Sequence, residues 1–297
     1  MKIIVITGPS ATGKTGLALQ YAEKYNGELV NFDSRQIYKK LDIITGKDKG
    51  IISNFKFQIS NSIWLYDLVD PKEYFSSFDY VKQAITIIKD IIVRKKVPIL
   101  VGGTYLYLYH LLYKIETENI PPNNDLREKL NGKVVSILQQ KLKKIDQKLF
   151  ESLNESDIQN PQRLIRKIEI ASFYKKKGAK VPVKMKFLFS DFFKDKDIEF
   201  IGLAFKNRGD ILKAIKIRVD KRLKEGAIDE VKKLLDEGYG EHDPGMKTIG
   251  YQQIIQYLIG EMTKQQAIDE WTRKEFQYTK RQLTFMKKDP HISWRVI

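Results

Sequence analysis

The chain is 297 residues long, with a net charge of +16, 42% hydrophobic residues and no cysteine. That length buries a large core, read as one large domain with a smaller one attached. The lack of cysteine excludes disulfides, thiolate metal sites and a thiol nucleophile, and no apolar run approaches the length of a membrane span. The apolar start is too short for the core of a signal peptide, so the expected location is the cytoplasm. The positive excess is uneven: residues 121–198 carry 18 basic and 10 acidic side chains. Such a surface points to a polyanionic partner, nucleic acid first, with a Lys-rich solubilising surface as the plainer alternative.

Lys2 to Thr7 (KIIVIT) is a short β-branched run, read as a buried strand. It leads into Gly8, Pro9, Ser10, Ala11, Thr12, Gly13, Lys14 and Thr15, which fit G-x-x-x-x-G-K-[ST] at every fixed position, and then into a helix over 17–25. Such a loop turns successive backbone N–H groups and a helix N-terminus toward an anion. Lys14 adds a mobile positive charge, and the Thr15 hydroxyl is placed to ligate magnesium. The motif establishes a phosphate or diphosphate site without saying whether the ligand is a nucleotide.

Residues 28–32 are a second strand candidate, ending at Asp33-Ser34-Arg35-Gln36. Ligands in open α/β folds gather beyond the carboxyl ends of strands, so Asp33 shares a rim with the phosphate loop. There it can accept a proton, hold magnesium through water, or cap a helix. Gly46, between Thr45 and Lys47, reads as a loop near the phosphates or as a surface turn. Residues 55–69 alternate and read as strands, and 78–94 as an amphipathic helix. Residues 97–101 form a buried strand followed by Gly102-Gly103-Thr104. The glycines permit close backbone approach to a ligand and bring Thr104 to the rim; a structural turn is the alternative. The aromatics of 105–113 read as core.

Pro121-Pro122 marks a domain boundary, and 125–178 read as helical, strongly amphipathic over 139–150, with a helix start at Asn160-Pro161. Arg163, Arg166 and Lys167 fall near one helix face. Residues 199–204 return to strand character as the final core strand. A helix over 211–223 carries Arg218 and Arg222 four apart, a phosphate clamp or a solvated basic face. Residues 247–253 open another helix. The last helix, 265–288, sets Arg273, Gln277, Lys280, Arg281, Thr284 and Lys288 on one stripe suited to a phosphate backbone. Trp271, Tyr278 and Phe285, seven residues apart, read as core anchors.

Taken in order, G-P-S-A-T-G-K-T (8–15), D-S-R-Q-I-Y (33–38), D-I-I-T-G-K (42–47), L-V-D-P (68–71), V-G-G-T-Y-L-Y (101–107), P-Q-R-L-I-R (161–166), I-G-Y-Q-Q (249–253) and K-R-Q-L-T-F (280–285) resemble the tRNA dimethylallyltransferase (tRNA isopentenyltransferase) family over nearly the whole chain. The resemblance implies an α/β fold: a P-loop NTPase-like core with a parallel sheet flanked by helices, formed by 1–120 and 199–297, plus a small all-helical tRNA-binding insertion over 121–198. It implies transfer of a dimethylallyl group from dimethylallyl diphosphate to the exocyclic amine of the adenosine directly 3′ of the anticodon. The phosphate loop then holds the donor's diphosphate, with Mg2+ as cofactor.

By the same resemblance Asp33 matches the general base, Thr104 the residue beside the reaction channel and Arg218 a residue acting on the leaving diphosphate, with Lys14 in support. Ser34, Arg35, Gln36, Arg127, the Gln162-Arg163-Leu164-Ile165-Arg166 segment and Lys280, Arg281, Gln282 and Thr284 match tRNA-contact positions, and Asp33 and Thr104 also face the target base. The expected partners are a tRNA anticodon stem-loop and dimethylallyl diphosphate, with no membrane, for a monomer. The alternatives are an isopentenyltransferase acting on free adenine nucleotides, a small-molecule kinase using the same loop, and an inactive RNA-binding relative.

Overall fold

A computed structural model describes residues 2–47, 63–115, 117, 120–179, 181 and 187–297. In chain order the elements are β1 (Lys2–Thr7), α1 (Lys14–Tyr25), β2 (Gly27–Asn31), α2 (Ser77–Val93), β3 (Val97–Gly102), α3 (Tyr105–Leu112), α4 (Asn124–Leu130), α5 (Val135–Ile145), α6 (Gln147–Glu151), α7 (Glu155–Ile158), α8 (Pro161–Lys176), β4 (Asp197–Ala204), α9 (Arg208–Lys224), α10 (Ala227–Asp236), α11 (Tyr251–Leu258), α12 (Lys264–Met286) and β5 (Ser293–Val296). The chain divides into two compact units, one of Met1–Tyr113 with Phe189–Ile297, the other Lys114–Leu188.

The first unit holds a wholly parallel sheet in the order β2-β3-β1-β4-β5. Ile4, Ile6, Leu29, Ile99, Val101, Ile201 and Leu203 pack with Ala18, Leu19 and Ala22 of α1. The alternate residues Ile3, Val5 and Leu100 are equally buried. A strand covered on both faces needs apolar residues at every position, which is why β1 and β3 read as unbroken runs. The P-loop-like α/β core expected from the sequence is therefore present. The all-parallel topology brings the carboxyl ends of β1, β2, β3 and β4 to one rim.

Residues 199–204 are not the last strand. β5 pairs parallel to the outer side of β4, with Gly202 opposite Trp294. Its residues are mostly exposed, so this edge strand lacks the apolar run that marks the others. The expected strands over 55–62 lie outside the described residues; from 63 onward only isolated bridges form, Val30 with Trp64 and Tyr38 with Val69.

The second unit is all helical. Leu138 and Leu142 of α5 pack with Leu164, Ile168 and Ala171 of α8 and with Leu130. The amphipathic run expected over 139–150 is broken at Asp146, whose carboxylate accepts from Leu149 N–H and caps α6. Asn160 caps α8 through Arg163 N–H, with Pro161 in the first turn, where its missing N–H costs nothing. The unit's limits are Lys114 and Leu188 rather than 121 and 198, because Lys114 N–H donates to the Leu188 carbonyl at 2.8 Å. Pro121-Pro122 thus falls inside it, and the start of β4 belongs to the sheet. Leu138 is fully buried in this small core. Leu138→Ala should destabilise the helical unit by about 2–5 kcal/mol, seen as an early, separate loss of helical signal on heating.

Candidate active site

The phosphate loop leaves β1 and closes at the first turn of α1. Gly8 has φ 147° and Gly13 φ 76°, while Ala11 takes a left-handed φ of 65°. A Cβ at Gly8 would lie 2.5 Å from the Leu203 carbonyl oxygen of β4, so only glycine lets the loop leave the sheet here. Thr12 Oγ1 donates to the Pro9 carbonyl at 2.9 Å, and Lys14 Nζ donates to the same carbonyl at 2.7 Å. The loop thus carries its ammonium across its own turn, beside the N–H groups that begin α1. Thr15 is half-buried in that first turn.

Asp33 follows the end of β2. Its N–H donates to Asn31 Oδ1 at 2.8 Å, and its Oδ1 accepts from Arg35 N–H at 3.0 Å. This side-chain turn fixes the carboxylate and leaves Oδ2 directed toward the end of β3. There Gly102 packs so closely on Phe32 that a Cβ would come within 2.8 Å of the Phe32 backbone carbon. A Cβ on Gly103 would sit 2.7 Å from Gln282 Nε2, 3.4 Å from Asp33 Oδ2 and 3.5 Å from the Gly8 carbonyl oxygen. The phosphate loop, Asp33 and the end of β3 therefore meet at Gly103. Thr104 joins them: its Oγ1 accepts from Ser34 N–H at 3.0 Å and lies 3.1 Å from Ser34 Oγ.

The segment 42–47 forms a second wall. Glu230 of α10 accepts the N–H groups of Asp42, Ile43 and Ile44 at 2.9, 2.6 and 3.3 Å, and Gly46 N–H closes the turn on the Asp42 carbonyl at 3.0 Å. Lys47, fully buried, donates to the Tyr38 carbonyl and to Asp42 and Asp67. Gly46 has φ 75°, and a Cβ there would come within 2.4 Å of Arg222 Nη2 and 3.2 Å of Arg218 Nη2. The left-handed φ is what requires glycine at 46, and the two guanidinium groups close over it. Gln36 Nε2 donates to the Thr45 and Gly46 carbonyls at 3.3 and 2.9 Å. Arg218 donates to the Thr45 carbonyl at 3.2 Å and pairs with Glu275 at 3.6 Å. Arg222 pairs with Glu225 at 2.7 Å.

The buried face of α12 completes the site. Trp271, Glu275, Thr279, Gln282 and Met286 are among its inward residues. This stripe differs from the Trp271, Tyr278, Phe285 series expected from the sequence. Trp271 is core, and Phe285 packs edge-on against Tyr105. Tyr278, however, faces Thr104 and Gln282; burial raises its phenol pKa, and the Asp33 charge raises it further. Glu275 is buried, accepts from Trp271 Nε1 at 3.2 Å and aims its other oxygen at Arg218. Sequence reasoning missed Tyr278, Glu275 and Glu230 as site residues. The available signal was polar Glu, Thr and Gln on an otherwise apolar helical stripe.

Ser34 and Gln36 are engaged within the site, and Arg35 Nη1 donates to the Pro244 carbonyl at 3.4 Å. Lys280, Arg281 and Thr284 are exposed on the outer face of α12, whereas Gln282 is buried. In the helical unit Gln162 and Arg163 are exposed, Ile165 is half-buried and Leu164 is fully buried in the core. Arg163 pairs with Asp157 at 2.9 Å. Arg127 and Arg166 both bond the buried Glu169, Arg127 through two nitrogens at 2.6 and 3.0 Å. Burial pushes the Glu169 carboxyl up, but the hydrogen bonds from Arg127, Asn123 N–H and Arg166 outweigh it and leave its pKa lowered. Among the described residues no three acidic or His side chains form a metal cluster, and no helix is long and apolar enough to cross a membrane.

A protein-family model described as IPP transferase matches residues 36–289. A tRNA dimethylallyltransferase of Caldanaerobacter subterraneus is 35% identical over 300 residues, covering 99% of this chain and 91% of the relative. One of Thermotoga neapolitana is 32% identical, covering 99% and 92%. The solved structure of the Bacillus halodurans tRNA isopentenylpyrophosphate transferase superposes with TM-score 0.67 at 32% identity, over 99% of this chain and 89% of that one. A eukaryotic dimethylallyltransferase acting on tRNA, at 24% identity, shares the fold with TM-score 0.73 over 99% and 73%.

Proposed function

The chain belongs to the IPP transferase family, and from that premise we propose that it transfers a dimethylallyl group from dimethylallyl diphosphate to a tRNA, at the exocyclic amine of the adenosine directly 3′ of the anticodon. The observation that carries this reading is the convergence at Gly103 of the phosphate loop, the Asp33 carboxylate and, through Ser34, the Thr104 hydroxyl. A diphosphate donor and a proton-losing acceptor need those two functions side by side. A free-nucleotide acceptor would leave the basic helical unit without a role.

The adenine amine is a weak nucleophile, because its lone pair is delocalised into the ring. It attacks C1 of the dimethylallyl group, a C–N bond forms, and the C–O bond breaks with its electron pair leaving on diphosphate. The amine proton passes to the free oxygen of Asp33, whose other oxygen is held by Arg35 N–H. Thr104, fixed by Ser34, orients the amine beside that oxygen. Lys14 and the loop N–H groups bind the diphosphate and take up its growing charge, with Arg218 reaching it from α9. Magnesium would fit this site as a diphosphate-bound ion: the described residues offer the Thr15 hydroxyl and no carboxylate cage, the donor set of an ion held mainly by phosphate oxygens and water. When bound, it supplies further positive charge to the leaving group.

The exposed cations of the helical unit and of α12 suit the tRNA backbone. Arg163→Ala and Lys280→Ala are expected to weaken tRNA binding and to lower the slope of log affinity against log salt by about 1 each. Equal slopes in variant and parent would place the phosphate contacts elsewhere. The activity itself is tested by offering labelled dimethylallyl diphosphate with unmodified tRNA and, in parallel, AMP. Label on tRNA, lost when the adenosine 3′ of the anticodon is changed, supports the reading. Label on AMP alone overturns it.

A further inference from the structure

Gln282 is buried on the inner face of α12, and its carboxamide joins two parts of the site that come from different strands. Oε1 accepts from Ser10 N–H of the phosphate loop at 3.3 Å. Nε2 donates to the Gly103 carbonyl at 2.8 Å. Gly103 precedes Thr104, and the space over its Cα is bounded by Gln282 Nε2, Asp33 Oδ2 and the Gly8 carbonyl oxygen. Tyr278, one turn earlier, packs against both Thr104 and Gln282. A carboxamide is planar, with an acceptor and a donor on one carbon. It therefore sets the separation between the loop and the end of β3 without bringing charge toward a diphosphate.

The neighbours point the other way. Lys280 and Arg281 are exposed, and at about 100° per residue Gln282 lies on the far side of the helix from Lys280. The K-R-Q run that resembles a tRNA-contact segment is thus split between two faces with different chemistry.

We propose that Gln282 is a positioning residue of the donor site, holding the phosphate loop against Gly103 and Thr104 so that diphosphate and acceptor amine are aligned. Its task is on the donor side, not in tRNA contact. The assignment rests on the transferase reading above and deepens it by naming which substrate this residue serves.

Two variants separate the roles. Gln282→Met removes both hydrogen bonds at nearly constant volume. Gln282→Glu keeps the shape and the acceptor, loses the donor to Gly103 and places a negative charge beside the loop. For each, binding of inorganic diphosphate is measured by calorimetry without tRNA, tRNA binding is measured without donor, and kcat and KM for dimethylallyl diphosphate are determined. Gln282→Met should weaken diphosphate binding and raise the donor KM by about tenfold, toward the lower end of the range for two lost hydrogen bonds. Gln282→Glu should do so by about a hundredfold, as expected for a like charge at close range. Both should leave tRNA affinity within about twofold, since no phosphate contact is lost.

Weakened tRNA binding with unchanged diphosphate binding would return Gln282 to the tRNA surface and overturn the proposal, as would no change in either. If Gln282→Met does not fold by circular dichroism, Gln282→Asn, which keeps the carboxamide but falls short of Ser10, is judged by the same two affinities. A parent protein that binds diphosphate but labels no tRNA would count against the transferase reading, and the diphosphate comparison would still decide Gln282.

Discussion

Asp33→Asn is expected to lower single-turnover transfer by about 10²- to 10⁴-fold, the usual worth of a positioned base, while tRNA affinity stays within about twofold. The local geometry makes this substitution informative. Asparagine retains an oxygen for Arg35 N–H, so the turn after β2 survives. The replaced atom is the one that approaches Gly103 at the meeting point of the loop and β3. An amide nitrogen there is a donor and cannot take the amine's proton. Thermal melting should match that of the parent, since no buried bond is removed. Full turnover in the variant would mean that the proton leaves by another route, to water or to diphosphate itself.

Lys14→Ala is expected to reduce kcat/KM for the donor by about 10²- to 10³-fold, the range seen when one preorganised stabiliser of developing charge is removed. Lys14 opens α1, and its ammonium lies 2.7 Å from the Pro9 carbonyl of its own loop. It is thereby held beside the N–H groups that face the anion. Loss of a contact that strengthens as charge moves onto diphosphate lowers kcat together with kcat/KM. A rise in KM at constant kcat would show that Lys14 binds ground and transition states equally. Binding of tRNA without donor should be unaffected, which separates this effect from the salt-dependent loss expected at Arg163 and Lys280.

Much of the sheet could be read directly from the chain. β1 and β3 are buried on both faces, so their sequences are unbroken apolar runs bounded by glycine. β5 could not be found that way, because one edge strand with exposed residues leaves no pattern. The cap of α8 is local, three residues from donor to acceptor, and so was visible in the sequence as Asn160-Pro161. The break between α5 and α6 depends on one Asp turning its side chain to the backbone, a choice that amphipathicity does not report.

Within the site, the loop 8–15, Asp33 and Thr104 were accessible because each sits in a short motif at the end of a strand, and parallel strands deliver their ends to one rim. Gly46 was legible as a turn but not as the seat of Arg218 and Arg222, which lie more than 170 positions away in the chain. Sequence periodicity placed Trp271, Tyr278 and Phe285 together. The packed helix instead turned Glu275, Tyr278 and Gln282 into the site, and sent Lys280 and Arg281 outward.

The frame of this site, a phosphate-loop motif beside a carboxylate and a hydroxyl on a parallel sheet, is written in contiguous residues, since strand, loop and cap formation depend on neighbours a few positions apart. Which cations and amides serve that site is written nowhere locally. Arg127 and Arg166 turned to the buried Glu169, Arg218 to Thr45 and Glu275, and Gln282 to Ser10 and Gly103. A charged or amide side chain takes its role from the partner that burial leaves it, and that partner is chosen only when distant elements pack.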